Sequence, residues 1–305
     1  MSITMIGTVA LDSIESPHGT FERILGGSAT YAATAARIFS PNDINVISII
    51  GKDFPDEHHA HFATHNINTS GIVVGKADTF HWQGKYEGDM AQAITIATDL
   101  NVLLEFDPQV PDTHKDSNFV FCANFDPELQ EKAILQFKTP QLVVLDTMNF
   151  WIDTKLDAVK KTLKLVDVLI INDQELRLLT GESNIISALP MVTAMGPSRV
   201  IVKKGEHGAI MYTEDQHFVT PAFPLSKVID PTGAGDSFAG AFLGYLSKKG
   251  AKTEADFREA VIAGTLVSSF TVQGFSLNQL KTITETALKE RYTLFQQYTH
   301  APQLF

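Results

Sequence analysis

Six short runs rich in β-branched and aliphatic residues recur along the chain, and most of them precede a segment with the periodicity of a helix. Runs of this kind are typical of strands that are buried on both faces. Because a strand, a helix and a second strand in this order form a crossover unit, the two strands lie parallel in one sheet. The pattern therefore predicts an α/β fold, a three-layer α/β/α sandwich with a mainly parallel central sheet. The runs are ITMIGTV (residues 3–9), NVISIIG (45–51), FVFCANF (119–125), LVVLDTM (142–148), DVLIIND (167–173) and RVIVKKG (199–205).

Two stretches interrupt this alternation. Residues 12–25 and 71–106 contain strand-like segments and turns but no long helix between them. We expect these two stretches to form a small β-sheet lid over one end of a single domain that spans residues 1–305.

The composition excludes several classes of protein. With 305 residues, of which 44% are hydrophobic and 19% charged, the chain can bury a substantial core and does not resemble a disordered protein. The 24 Lys and Arg against 35 Asp and Glu give a net charge of −11 without a basic block, so we expect neither nucleic acid nor a membrane as a main partner. The opening residues lack the features of a signal sequence or a membrane span, which favours a cytoplasmic protein.

The stretch VIDPTGAGDSFAGAFLGYL (residues 228–246) joins a glycine-rich turn to the start of a helix. Apolar residues recur three or four positions apart from Ser237 to Leu246, which predicts a helix with one buried face. Gly233, Ala234 and Gly235 would then lie at its N-terminus. There, free backbone N–H groups and the positive end of the helix dipole can bind a phosphate.

Asp236 follows these residues in the same turn. A carboxylate at this point repels a phosphate, but it suits a general base that takes the proton of an attacking hydroxyl. The alternative is an ordinary first-turn acid that stabilises the helix, with glycines that only shape a turn. This segment alone favours neither interpretation.

Polar residues follow several of the predicted strands. Ligands of open α/β sheets bind beyond the carboxyl ends of the strands, so these residues are candidates for a site. Each of them is also explained as a turn former or a helix cap. Gly26 and Gly27 precede an alanine-rich helical segment, where paired glycines permit either close approach of a ligand or tight helix packing. The residues after the strands are Asp12, Asp146, Asn149, Asn172 and Glu175.

Taken together, the motifs resemble the ribokinase-like (PfkB) carbohydrate kinase family. DPTGAGDSFAGAF (residues 230–242) closely resembles its C-terminal signature, and GGSATYAATAA (26–36) resembles its N-terminal one. VALDSI, IIGKDF, FDPELQ, NDQE and VKKGEHGA agree in order and spacing, so the resemblance extends to about residue 275. It implies a ribokinase-like α/β domain with a β lid that often forms a homodimer, and transfer of the γ-phosphate of ATP to a hydroxyl group.

The resemblance also implies roles around the phosphates. Asp236 would deprotonate the acceptor hydroxyl, while the backbone of Gly233, Ala234 and Gly235 would stabilise the transferring phosphoryl group. Asn172 and Glu175 match an Asn-x-x-Glu element that organises Mg²⁺ and its waters. Asp230 matches a position that in many relatives helps to bind K⁺. Lys203, Gly205 and Gly208 would line the nucleotide.

Acceptor binding would fall to Asp12, Gly26 and Gly27. Tyr31 departs from the family pattern, because many relatives have an asparagine that contacts the acceptor there. Tyrosine supplies one hydroxyl and an aromatic face. Four aromatic residues near candidate pocket positions could stack on a base or a sugar, or pack in the core: Phe80, Trp82, Phe150 and Trp151.

We therefore expect an ATP- and Mg²⁺-dependent kinase that phosphorylates a hydroxymethyl group of a small sugar. A nucleoside kinase of the adenosine type is the close alternative, and a non-catalytic sugar or nucleotide sensor is the second. A sugar phosphate is a less favoured acceptor, since a second phosphate calls for Arg or Lys in the pocket.

Overall fold

The computed structural model describes residues 1–88, 90, 92–214 and 216–300. Residues 301–305 of the predicted domain, and Asp89 and Ala91 of the predicted lid, lie outside the described residues. The strands are β1 (Ser2–Ile6), β2 (Ala10–Ser16), β3 (Gly19–Gly26), β4 (Asp43–Ile50), β5 (Ile67–Val74), β6 (His81–Tyr86), β7 (Ala93–Asp99), β8 (Phe119–Cys122), β9 (Leu142–Asp146), β10 (Val168–Asn172), β11 (Arg199–Lys203), β12 (Ala209–Thr213) and β13 (Gln216–Thr220).

The helices follow most of the strands of the larger sheet. They are α1 (Ser28–Arg37), α2 (Asp56–Thr64), α3 (Pro127–Ile134), α4 (Asn149–Thr154), α5 (Leu156–Leu163), α6 (Asp173–Thr180), α7 (Ile185–Thr193), α8 (Ala234–Lys249), α9 (Glu254–Thr271) and α10 (Glu285–Thr299). Within the described residues no helix is both long and apolar enough to cross a membrane.

Nine strands form the larger sheet, in the order β13-β12-β11-β10-β9-β8-β1-β4-β5. Neighbours from β11 to β5 are parallel, and the pairings of β12 with β11 and β13 are antiparallel. The six runs singled out in the sequence are β1, β4, β8, β9, β10 and β11. The prediction of a mainly parallel sheet is confirmed.

Helices cover this sheet on both faces, because alternate residues of its strands point to opposite sides. In β10, Val168 and Ile170 belong to one hydrophobic cluster, which includes residues of α1, α8 and α9. Leu169 and Ile171 belong to a second cluster with residues of α3, α5, α6 and α7. The predicted three layers are confirmed.

The lid is a separate sheet of four strands in the order β3-β2-β6-β7. The β2–β3 and β6–β7 pairs are antiparallel, and β2 pairs with β6 in parallel. The predicted lid boundary at residue 71 is wrong, because residues 71–74 belong to β5, which pairs with β4 in the large sheet. A short apolar run does not reveal its distant partner strand, and that pairing decides to which sheet it belongs.

Candidate active site

The candidate site is built around the N-terminus of α8. Gly233 precedes the helix with φ of 74°, a left-handed conformation that glycine adopts readily, and no side chain caps the helix. The i to i−4 pattern begins with the Ser237 N–H, which donates to the Gly233 carbonyl at 2.8 Å. The N–H groups of Gly235 and Asp236 therefore precede this pattern, as an anion cradle requires.

A lysine lies beside this cradle. A Cβ placed on Gly235 would stand 2.8 Å from the Lys203 Nζ, so a larger residue there would crowd the ammonium group. Lys203 ends β11, and its Nζ donates to the Asp146 Oδ2, at the end of β9, at 3.1 Å. Both side chains are shielded, with 19% of Lys203 and 6% of Asp146 exposed. Burial opposes the ammonium, but the neighbouring carboxylates, Asp146 foremost, outweigh it and raise the pKa of Lys203.

Asp236 lies in the first turn of α8, directly after the cradle, and the Lys203 and Asp146 charges act on it. Burial raises the pKa of Asp236 to about 7, with the Asp146 carboxylate adding to the rise and the Lys203 ammonium opposing it. A carboxyl group with this pKa is near the optimum for proton transfer at neutral pH.

Asn172 and Glu175 form a capping box at the start of α6. The Asn172 Oδ1 accepts hydrogen bonds from the N–H groups of Gln174 at 3.0 Å and Glu175 at 2.8 Å. In return, the Glu175 Oε2 accepts from the Asn172 N–H at 2.8 Å. Burial, with the Asp146 carboxylate adding, raises the pKa of Glu175 to about 7. The Asn-x-x-Glu element therefore has a structural role whatever else it does.

Asp12 lies within β2 of the lid, where it pairs with β3 and β6. Its carboxylate packs against Gly26, so closely that a Cβ on that glycine would overlap it. Gly27 has φ of 97°, and a side chain on it would collide with the Thr8 carbonyl. Burial raises the pKa of Asp12 to about 7, and the Asp230 carboxylate adds to the rise. Gly26 and Gly27 thus serve tight packing, which brings Asp12 towards α8.

Tyr31 lies under the turn before α8. Its ring contacts Gly233, where any Cβ would overlap it, and 1% of the residue is exposed. The Tyr31 hydroxyl, the Asp230 Oδ2 and the Ser237 Oγ are buried without a hydrogen-bond partner in the part of the chain that the structure describes. Because buried polar atoms are normally paired, the Tyr31 hydroxyl and the Asp230 Oδ2, which lie close enough for their charges to interact, are candidates to contact a ligand.

Asp230 is held by local bonds. Its Oδ1 accepts from the Thr232 N–H at 2.9 Å, and burial raises the pKa of Asp230 above its ordinary value. The Thr232 hydroxyl donates to the Tyr86 hydroxyl of the lid at 3.1 Å. Tyr86 therefore joins the lid to the turn before α8. No motif in the sequence predicts this contact, because the register of the lid strands decides where Tyr86 lies.

Gly205 begins a 3₁₀ turn (Gly205–His207) that Lys204 separates from Lys203, and Gly208 follows it, with φ of 54° and 84°. A Cβ on Gly208 would overlap the Thr220 carbonyl, whereas the space at Gly205 is open. These two glycines shape the turn, and their contacts do not extend to Asp236.

The four aromatic residues have separate environments. The Trp82 N–H donates to Thr95 at 3.3 Å and the Trp151 N–H to Asn124 at 3.1 Å, so both indoles are bonded within the protein. Phe150 is 53% exposed and packs edge-on against Trp151. Phe80 is partly buried beside the lid.

Comparison with known proteins identifies the family. Residues 2–283 match the family described as pfkB family carbohydrate kinase. The chain belongs to this family. Its members are phosphotransferases that use a hydroxyl group as acceptor, and this pfkB chain is an enzyme of that class.

Individual relatives of this pfkB chain differ in their substrates. It is similar to a cytidine kinase of Thermococcus kodakarensis, with 24% identity over 81% of this chain and 89% of the relative. It is also similar to a ribokinase of Lactococcus lactis, with 27% identity over 89% of this chain and 92% of the relative. A putative ribokinase II from E. coli, solved with ATP and Mg²⁺, has the same fold, with a TM-score of 0.78 and 19% identity over 97% of this chain and 99% of that chain.

Proposed function

We propose that this chain transfers the γ-phosphate of ATP to the hydroxymethyl group of a small sugar, with Asp236 as the general base. The observation that carries the proposal is the position of Asp236 in the first turn of α8, beside the cradle of Gly233 to Gly235 and the Lys203 ammonium. A base, anion-binding backbone groups and a cation then surround one point, which is what in-line phosphoryl transfer requires.

In the proposed reaction the Asp236 carboxylate takes the proton of the acceptor hydroxyl as the hydroxyl oxygen attacks the γ-phosphorus. The new oxygen–phosphorus bond forms, the bond from the γ-phosphorus to the β–γ bridging oxygen breaks, and ADP leaves. The backbone N–H groups of the cradle stabilise charge on the transferring group.

Lys203 supplies positive charge to the site. Asp146 and Glu175 lie near Lys203, Asp12 lies near Asp236, and Asp230 lies near Asp12. An incoming triphosphate is itself strongly negative. Asp146 holds the Lys203 Nζ at 3.1 Å beside Gly235, and we place the nucleotide phosphates against this ammonium. Gly205 and Gly208, in the turn after Lys203, line the nucleotide in this proposal.

The metal ions of the family fit the residues present. Within the described residues no cluster of three or more His, Cys, Asp or Glu side chains can hold a metal ion, so Mg²⁺ would be bound largely by phosphates and water. Asn172 and Glu175 would orient those waters, and the ion would neutralise phosphate charge when bound. The orphaned Asp230 Oδ2 fits a K⁺ ion.

The acceptor is an uncharged polyol in this proposal. Asp12 accepts hydrogen bonds from its hydroxyl groups, and the buried Tyr31 hydroxyl donates one to it. Gly26 and Gly27 keep Asp12 in place. Acidic groups around this space repel an anionic acceptor, which disfavours a sugar phosphate.

A nucleoside is the second candidate acceptor. The similarity to a cytidine kinase over 81% of the chain favours it. The two candidates share the ribose-type hydroxymethyl group and differ only in what lies beyond the sugar.

The test is ADP release from ATP and Mg²⁺ with ribose, 2-deoxyribose, fructose, cytidine and adenosine. We expect one acceptor to support turnover, and Asp236→Asn to lower kcat about 10²–10⁴-fold, the usual contribution of a general base. Binding of a non-hydrolysable ATP analogue should change little. Asp157→Asn, at an exposed first-turn acid of α5, is the matched control.

The outcomes of this test discriminate between the base assignment, the kinase proposal and the sensor. Near-normal turnover in Asp236→Asn would refute the base assignment. ATP binding without turnover on any acceptor would favour the non-catalytic sensor.

A further inference from the structure

A cavity of about 700 Å³ lies at the opposite end of α8 from the candidate active site. The ends of α1 and α8, the middle of α9 and the first turns of α10 form its walls. Lys248 follows Asp236 by twelve residues on α8, which places it about 18 Å farther along the helix axis. The cavity is therefore separate from the phosphate cradle.

The floor of this cavity is apolar. Aliphatic side chains from α9, α10 and the segment between them form it, and the Phe39 and Tyr245 rings meet edge to face beside it at 5.5 Å. Tyr292 of α10 adds a ring that is 42% exposed. A flat or aliphatic body can therefore pack here. The aliphatic residues are Ile262, Leu266, Leu280, Ile283 and Leu288.

The rim is positive although the chain is acidic. Among the residues that the structure describes, five Lys and Arg line the cavity, against two Asp and Glu, although the whole sequence has 24 of the former and 35 of the latter. The two acids are already paired, Glu259 with the Lys249 Nζ at 3.0 Å and Glu285 with the Lys289 Nζ at 2.7 Å.

Among the other lining cations, Lys248 and Lys281 are available to a ligand, whereas the Arg37 guanidinium is already bonded within the protein. The Arg37 guanidinium donates to backbone carbonyls, including that of Asn42 at 2.9 Å. Lys248 and Lys281 approach the cavity from different walls, and neither has an ion-pair partner among the residues that the structure describes. The position of Lys248 is explained in part by the negative end of the α8 dipole, which a lysine stabilises. Lys281 belongs to the segment between α9 and α10, so the α8 dipole does not account for its position beside the cavity.

We propose that this cavity binds an amphipathic phosphomonoester, with its phosphate at Lys248 and Lys281 and its apolar or aromatic body on the floor. The volume lies within the range of about 300–1,000 Å³ that is usual for small-molecule sites. The proposal does not depend on the kinase reaction, because none of its residues belongs to the candidate active site.

The test is calorimetric titration with 1-naphthyl phosphate while a non-hydrolysable ATP analogue and Mg²⁺ saturate the catalytic site. Two control ligands are titrated in the same way: inorganic phosphate, which lacks the aromatic body, and 1-naphthol, which lacks the phosphate. We expect the whole probe to bind at least tenfold more tightly than either half. The double variant Lys248→Glu, Lys281→Glu should lower its affinity at least tenfold, since it replaces both attractive charges by repulsive ones.

Lys252→Glu is the matched control, because Lys252 is exposed nearby but does not line the cavity. It should leave the affinity within twofold. All substituted lysines are exposed, so the variants should fold. Because Lys248→Glu places a negative charge at the negative end of α8, the double variant should melt a few degrees below the parent. Equal affinity in the double variant, equal binding of 1-naphthol, or loss of the signal on saturation with the ATP analogue would each overturn the proposal.

Discussion

Asp12 is a buried carboxyl group among other carboxyl groups, with 4% of the residue exposed. Its pKa of about 7 in the folded protein lies above the ordinary value of 3.8 because burial and Asp230 disfavour the charge. The folded state therefore binds the proton more tightly than the unfolded state between about pH 4 and pH 7. Over this window the contribution of Asp12 to stability falls as pH rises.

Asp12→Asn removes this charge and keeps an oxygen acceptor. We expect it to raise the free energy of unfolding at pH 8 by about 1–3 kcal/mol, within the upper limit that the pKa shift allows. At pH 5 the gain should be smaller, because Asp12 is then already neutral in the folded protein. Urea unfolding at both pH values measures the effect, with the exposed Asp157→Asn as control. A gain that is the same at pH 5 and pH 8 would contradict the explanation.

Gly233 meets two constraints at once, a positive φ and contact with the Tyr31 ring. Gly233→Ala should cost about 1–2 kcal/mol for the left-handed backbone and about 1–3 kcal/mol for the overlap. Gly181→Ala is the matched control, because Gly181 has φ of 71° and open space where its Cβ would stand. In urea unfolding, the free energy of unfolding of the Gly181→Ala control should fall only by the amount that the left-handed backbone costs. Equal losses in both variants would mean that the Tyr31 ring moves aside at no cost.

At the scale of elements, α6 raises the question of whether Asn172 and Glu175 do more than cap a helix. Both side chains are bonded to backbone N–H groups in the capping box. An ordinary cap and a magnesium-organising pair would therefore have the same sequence signature.

Glu175→Gln separates the two roles, because glutamine keeps the bond to the Asn172 N–H and loses the charge. We expect its stability at pH 5, where Glu175 is already neutral in the folded protein, to stay within about 0.5 kcal/mol of the parent, while at pH 8 the Mg²⁺ concentration for half-maximal ADP release rises several-fold. Asn172→Ala should cost about 1 kcal/mol of stability as well as activity.

Asn184→Ala is the control, because the Asn184 side chain accepts hydrogen bonds from the first N–H groups of α7, as Asn172 does at α6. It should lose similar stability and keep the Mg²⁺ dependence. An unchanged Mg²⁺ requirement in Glu175→Gln would leave the pair with a capping role alone.

At the scale of the whole molecule, the lid exposes apolar side chains. Ile94 and Ile96 of β7 are both 51% exposed and point to the same side of the strand. β7 is an edge strand of the lid sheet, and an exposed apolar edge favours association. We propose that the chain forms a homodimer through the lid, as the family resemblance led us to expect.

Ile94→Lys with Ile96→Lys should therefore convert a dimer to a monomer in sedimentation velocity experiments. Ile186→Lys, at an isoleucine of α7 that is 48% exposed, should leave the dimer intact. A parent protein that sediments as a monomer, or a double variant that stays dimeric, would refute the proposed interface.

Much of the fold could be predicted from local patterns. The six strands of the parallel sheet are recognisable because each is a short apolar run that precedes a helical pattern. Both the apolar run and the helical pattern are properties of neighbouring residues. The start of α8 is recognisable for the same reason, since its glycine-rich turn and its apolar spacing lie within nineteen residues. The capping box of α6 is likewise contained in four consecutive residues.

By itself, the sequence determined the α/β class, the family signatures and the helix N-terminus that carries Asp236. Only the tertiary structure decided that β5 joins the large sheet, that Asp146 holds Lys203 beside Gly235, and that Tyr31 packs under Gly233. Tyr86 and the basic cavity at the far end of α8 also appear only in three dimensions. The reason is that strand register and helix packing bring together residues distant in sequence, whereas periodicity and capping act over a few residues.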